Sequence, residues 1–164
     1  MKMDEIYSGF GDSTENMCRA VFSSIFILQN RIQTACEKLQ TQISMKQWLL
    51  IAMALSCPEP RTLTGIGELM GCSRQNVKKL ALALESKGFV TLSQGSNNSV
   101  QIELTQRAQE YFTDIAQRQS ETVKLLFSEF GEQEIHQLFR LYAKLYAGIE
   151  KVESYAEKNK STDK

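Results

Sequence analysis

Between Leu63 and Leu104 the chain changes its apolar period, and glycines stand at the joints. Ile66 and Met70 recur at helical spacing, and so do Val77 and Leu80, with Gly71 breaking the pattern between them. After Lys87-Gly88 the period falls to two. Phe89-Val90-Thr91-Leu92 is β-rich, Gln94 to Ser99 is a turn cluster, and Val100, Ile102 and Leu104 alternate with Gln101 and Glu103. Side chains repeat every 3.6 residues on a helix and every two on a strand. The segment therefore reads as two short helices followed by one β-hairpin.

The punctuation agrees with that order. Thr62 or Thr64 can cap the first short helix, and Ser73 the second, because a hydroxyl oxygen can accept from the free N–H groups of a first turn. Lys87 supplies a last-turn cation and Gly88 the residue beyond the helix end. Gly71 suits a turn of positive φ, and Gly67 is small where two helices would cross. Ile66, Met70, Cys72, Val77 and Leu80 take the inward positions. Two helices meeting at such a turn form a helix-turn-helix, whose second helix can enter the major groove of DNA.

Helices flank this segment on both sides. Val21, Ile25, Leu28, Ile32, Ala35 and Leu39 step by 4, 3, 4, 3 and 4 along residues 14–40, and Cys18, Phe22 and Phe26 widen the apolar face. Ser44 can cap a helix from Lys46 to about Leu55, and the Cys57-Pro58-Glu59-Pro60 loop ends it. Thr105 can cap a helix running to about Phe130, where Gly131 breaks it; Ile135, Leu138, Tyr142, Leu145, Ile149 and Val152 then step by 3, 4, 3, 4 and 3. The expected fold is mainly α with a small β-hairpin wing: a winged helix-turn-helix with N- and C-terminal dimerisation helices. The expected divisions are a flexible start at 1–13, helical dimerisation regions at 14–43 and 106–157, a winged lobe at 44–105 and a flexible tail at 158–164. The near-heptad terminal faces are too broad for one small domain to bury, so a homodimer is expected.

The formal net charge is zero, yet it is unevenly spread. Residues 61–107 hold six basic and three acidic groups, whereas both flanks hold more acidic groups than basic ones. A surface for double-stranded DNA therefore belongs in the middle. Arg74, Gln75 and Asn76 open the second helix of the pair. Arg can take guanine O6 and N7 together, and Gln or Asn can pair with adenine, so these three are assigned to base readout. Lys78 and Lys79 are assigned to phosphates, and Ser73 to the cap with a possible phosphate contact. Lys46 and Arg61 are further candidates for phosphate.

In the order of its elements the chain resembles the MarR (multiple antibiotic resistance regulator) family of transcriptional regulators across residues 14–155. The matching stretches are Ser44 to Leu50, Gly71 to Val77, Leu84 to Val90, and Leu104-Thr105. The resemblance implies homodimerisation through the first and last helices and, often, repression relieved by a small ligand. A pocket for such an effector is expected where the dimer helices meet the lobe, with Phe22, Phe26, Trp48, Tyr111 and Phe112 as candidate walls. The family's wing commonly carries an arginine that reaches the minor groove. Here the tip, Gln94 to Ser99, is uncharged, which leaves Asn97 and Asn98 as wing contacts and shifts weight to the helix.

Two other readings use the same residues. A winged-helix protein-interaction module without DNA binding would suit the uncharged wing. A redox-sensing regulator would use Cys18 or Cys72, although free cysteines of this kind, with Cys36 and Cys57, are expected to be buried small apolar groups. The single histidine, His136, lies in a helical pattern with no nucleophile in view. No metal-ligand spacing or phosphate-binding glycine loop appears, so neither a metal, a cofactor nor an enzymatic activity is expected. With no apolar run near 18 residues and acidic groups Asp4 and Glu5 near the start, neither a membrane span nor a signal peptide is expected, and the expected location is the cytoplasm.

Overall fold

A computed structural model describes residues 13–39 and 42–160. Its elements are α1 (Thr14–Leu39), α2 (Met45–Ser56), α3 (Leu63–Met70), α4 (Arg74–Ser86), β1 (Val90–Gln94), β2 (Val100–Leu104), α5 (Gln106–Leu126) and α6 (Glu132–Lys160). The strands form an antiparallel hairpin in which Val90 faces Leu104 and Gln94 faces Val100. A bridge from Thr62 to Gln101, with Ile102 N donating to Arg61 O at 2.8 Å, lays the entry to α3 along the hairpin edge. This is the expected mainly-α winged helix-turn-helix.

The chain divides into two compact units, residues 1–113 and 114–164. The division falls inside α5, and α1 belongs to the first unit. The first unit holds the core. Leu50, Ile51 and Ala54 of α2, Leu63 and Ile66 of α3, and Val77, Ala81 and Leu84 of α4 are all buried, together with Phe89, Val90 and Ile102 of the hairpin. Of the five positions read as inward in the helix pair, Ile66 and Val77 are buried, and Met70, Cys72 and Leu80 are half-buried.

The remaining differences are local. Helix α5 stops at Leu126 rather than near Phe130. Phe127 packs edge to face on Phe130 at 5.7 Å, and Phe130 N donates to Phe127 O at 3.1 Å, which tightens the chain into a turn before Gly131. Glu134 then accepts from Gly131 N at 2.8 Å and restarts the helix as half of a capping box. Helix α6 continues through Lys160, past the point where the tail was expected at 158. At the other end Ser13 caps α1 through Asn16 N at 3.2 Å; the rest of the expected flexible start, and residues 161–164, lie outside the described residues.

The terminal helices bury little of their apolar faces. In α1 only Ala20 and Ser24 are buried, while Val21, Phe22, Phe26, Leu28, Ile32 and Leu39 are exposed. In α6, Leu138 is half-buried, and Tyr142, Leu145, Ile149 and Val152 are exposed. Among the described residues no helix is long and apolar enough to cross a membrane.

Candidate nucleic-acid interface

The turn between α3 and α4 is held by three local devices. Thr62 Oγ1 accepts from Gly65 N at 3.0 Å and starts α3. Gly71 takes φ +61° and ends it, with Gly71 N donating to Glu68 O at 3.2 Å and Cys72 N to Gly67 O at 2.9 Å. Ser73 Oγ accepts from Asn76 N at 3.3 Å and starts α4. Val77, Ala81 and Leu84 then anchor one face of α4 in the core, with Leu80 half-buried beside them.

The opposite face is open. Ser73, Arg74, Gln75, Asn76, Lys78 and Lys79 are all exposed, so the chain places every expected readout residue on the surface. Arg74, Lys78 and Lys79 enter no ion pair among the described residues, leaving three cations for an external anion. An α-helix turns about 100° per residue, which orders these side chains further. The open arc centres on Gln75 and Leu82, which point within about 20° of each other; Lys78 lies about 40° to one side of Leu82 and Lys79 about 60° to the other. Arg74 stands about 80° and Asn76 about 120° from Leu82, at the margins of the arc. Sequence reasoning passed over Leu82, one apolar residue among several, although its spacing of seven from Gln75 was there to find.

Long-range hydrogen bonds fix α4 against its neighbours. Lys87 Nζ donates to Gln42 O at 2.8 Å and to Gln47 Oε1 at 3.2 Å. Gln47 Oε1 also accepts from Ser44 N at 3.0 Å, closing the capping box of α2. Glu85 Oε1 accepts from Leu92 N at 2.8 Å and so ties the end of α4 to β1. Gly88 takes φ +74°, and Phe89 N donates to Leu84 O at 3.0 Å, so the chain turns directly from helix into wing. Thr105 Oγ1 donates toward the carbonyls of Gly88 and Phe89 and accepts from Ala108 N at 3.3 Å, joining the wing base to α5. Arg107 sits over the Phe89 ring at 4.8 Å. The stretch from Leu84 to Val90 and the Leu104-Thr105 pair thus act as mechanical joints.

At the wing tip Asn97 and Asn98 take φ +55° and +61°, the backbone that favours Gly and Asn in hairpin turns. Asn98 Oδ1 accepts from Gln94 Nε2 at 3.0 Å. Turn geometry is therefore sufficient reason for both asparagines. Glu103 is the one charge between Val90 and Leu104, and it accepts from Ser93 Oγ at 2.7 Å. Arg61, expected to be free for phosphate, is spent locally. It bonds Glu59 at 3.1 Å and Cys57 O at 3.3 Å, and its side chain is only 19% exposed. Lys46 is exposed.

The five expected pocket residues fall into two groups. Trp48 stacks on Phe112 at 6.1 Å, Phe112 meets Tyr111, and Tyr111 packs edge to face on Phe89 at 5.3 Å. Tyr111 is buried core rather than an open wall. The Trp48 indole N–H is buried without a hydrogen-bond partner among the described residues. Phe22 and Phe26 pack edge to face on each other at 5.2 Å and are exposed. The cysteines also differ from expectation. Cys18 is exposed, because the face of α1 that carries it is left uncovered, and Cys36, Cys57 and Cys72 are half-buried.

A helix pair joined by a left-handed glycine, a hairpin wing at its end and an uncompensated cationic helix face define a winged helix-turn-helix protein. Solved structures narrow the class. A MarR/EmrR-family transcriptional regulator from an Acinetobacter species superposes with a TM-score of 0.72 and 25% identity, covering 82% of this chain and 98% of its own. A MarR protein from Peptoclostridium difficile follows at 0.68 and 16%, covering 86% and 90%. The PcaV transcriptional regulator from Streptomyces coelicolor, solved with its natural ligand, matches at 0.61 and 12%, covering 82% and 92%. No protein-family model matches the sequence, and no curated protein does. The fold is that of the MarR-family transcriptional regulators, and these structural neighbours are regulators rather than enzymes.

Proposed function

We propose that the chain is a homodimeric, sequence-specific transcriptional regulator: a repressor that reads a pseudo-palindrome in the major groove and is released by a small ligand. The observation that carries this reading is the open face of α4. It presents Arg74, Gln75, Lys78 and Lys79 to solvent, and none of its cations has an ion-pair partner among the described residues. Lys78 and Lys79 flank the centre of the arc and suit the two phosphate walls of a groove. Gln75, and Arg74 at the margin, suit base edges. Ser73 and Asn76 belong to the start of the same helix, and Asn97 and Asn98 supply uncharged contacts from the wing.

The exposed apolar faces of α1 and α6 support pairing with a second copy, which would set two α4 helices at about one DNA turn. For the effector, the supporting feature is the Trp48–Phe112 stack with its unpartnered indole N–H, which a ligand oxygen could satisfy. PcaV, a structural neighbour, holds its natural ligand. The wing, with Glu103 as its only charge, favours a second reading as a protein-interaction module.

Selection of bound duplexes from a random pool at two salt concentrations tests both. A regulator enriches a pseudo-palindrome with half-sites about 10 base pairs apart, and its affinity falls steeply with salt, by a log–log slope of about 0.9 per phosphate contacted. Absence of enrichment together with salt-insensitive, featureless binding would leave the interaction module.

A further inference from the structure

Leu82 is 47% exposed in the middle of a helix whose other leucines are buried or half-buried. Leu82 is not among the buried residues of α4. The buried arc is complete with Val77, Ala81 and Leu84. Leu82 instead occupies the centre of the open arc, in line with Gln75 and between Lys78 and Lys79, about 10 Å further along the axis than Gln75. An apolar side chain there is surrounded by groups suited to phosphate and base edges. In the major groove one base-pair feature is apolar, the 5-methyl group of thymine.

We propose that Leu82 is a specificity-determining residue that packs on a thymine 5-methyl in each half-site. This rests on the reading of α4 as the DNA-reading helix. The charge pattern favours this occupant over a protein surface. Lys78 and Lys79 flank Leu82 on both sides, and the nearest wing contributes no cation that would compete for the phosphates. Leu82 adds a contact that polar readout by Arg74 and Gln75 leaves unmade, and it discriminates thymine from cytosine, whose ring lacks the methyl.

The test uses the duplex selected from the random pool, with each thymine replaced in turn by deoxyuridine, which removes only the methyl. One thymine per half-site should lose about fourfold in affinity for the parent dimer, and about 15-fold when both half-sites are changed, as expected for one methyl-sized apolar group per site. That thymine should lie about three base pairs from the position whose preference Gln75→Ala relaxes. Leu82→Ala should bind the thymine and uracil duplexes equally. Affinity for the selected duplex that is unchanged by every uracil replacement overturns the role of Leu82 while leaving α4 as the reading helix, and so does an equal loss in Leu82→Ala and the parent. Failure to select any duplex overturns both. Should Leu82→Ala fold poorly, Leu82→Gln, which keeps a long side chain at this exposed helical position, should likewise bind the thymine and uracil duplexes equally, and a loss in it equal to the parent's overturns the role of Leu82.

Discussion

A β-carbon added to Gly67 would stand 2.7 Å from the carbonyl oxygen of Cys72 and 3.4 Å from a methyl of Val77. Gly71, four residues on, has nothing within 4 Å of such an atom, yet its φ is +61°. One glycine is required by space and the other by conformation. Gly67→Ala should therefore cost about 1–3 kcal/mol, because backbone must move to admit the methyl. Gly71→Ala should cost roughly 1–2 kcal/mol and Gly71→Asn less, since Asn enters the left-handed region more readily. Urea denaturation of the three variants checks the order; a Gly67→Ala protein as stable as the parent would show that the helix crossing has room to spare.

Both glycines were legible in the sequence because their work is local. Gly71 closes a period that can be counted, and Gly67 lies one turn back on the inward face. The caps Thr62 and Ser73 were legible for the same reason. Lys87 was read as a cation favouring its own helix end. Its two acceptors, 45 and 40 residues away, follow only from the tertiary placement of the α2 start. The Arg61–Glu59 ion pair was not legible, because Glu59 read as loop punctuation rather than as a counter-charge. Asn97 and Asn98 were read through their side chains, whereas their backbone conformation already explains them.

The Lys87–Gln47 bond joins the C-terminal end of α4 to the capping box of α2. A double-mutant cycle of Lys87→Met and Gln47→Ala should show a coupling of about 0.5 kcal/mol or more by thermal or urea unfolding. Gln47→Ala alone should cost more than Lys87→Met alone, since it also removes the acceptor of Ser44 N. Additive effects of the two substitutions would mean that the contact carries no stability of its own.

Position on the α4 arc ranks the polar readout residues. Gln75 points to the centre of the open face and Asn76 toward its margin, so Gln75→Ala should relax base preference by about 1–3 kcal/mol at one position per half-site, and Asn76→Ala by less. Lys78→Ala and Lys79→Ala should weaken binding to operator and random DNA alike, each lowering the salt slope by about 1 per phosphate lost in each subunit. Binding isotherms on the selected and a scrambled duplex, over a salt series, distinguish the two behaviours. A scrambled duplex that gains on the operator in Lys79→Ala but not in Gln75→Ala would reverse the assignment.

Leu145 and Ile149 lie one helical turn apart on the exposed face of α6, at 41% and 50% exposure. Left in water, a stripe running from Ile135 to Val152 would be an uncommonly large apolar surface for a monomer. Leu145→Asp with Ile149→Asp places two charges where a partner copy would otherwise exclude water, and an unpaired buried charge costs several kcal/mol. Analytical ultracentrifugation should show the parent as a dimer at micromolar concentration and the double variant as a monomer. The same paired charge change on the polar side, Lys144→Asp with Lys151→Asp, should leave the dimer in place. Because the core of residues 1–113 is built from other residues, the monomer should keep its helical circular-dichroism spectrum and bind a single half-site, with the loss concentrated on the pseudo-palindrome. A double variant that still sediments as a dimer would move the interface away from this face of α6.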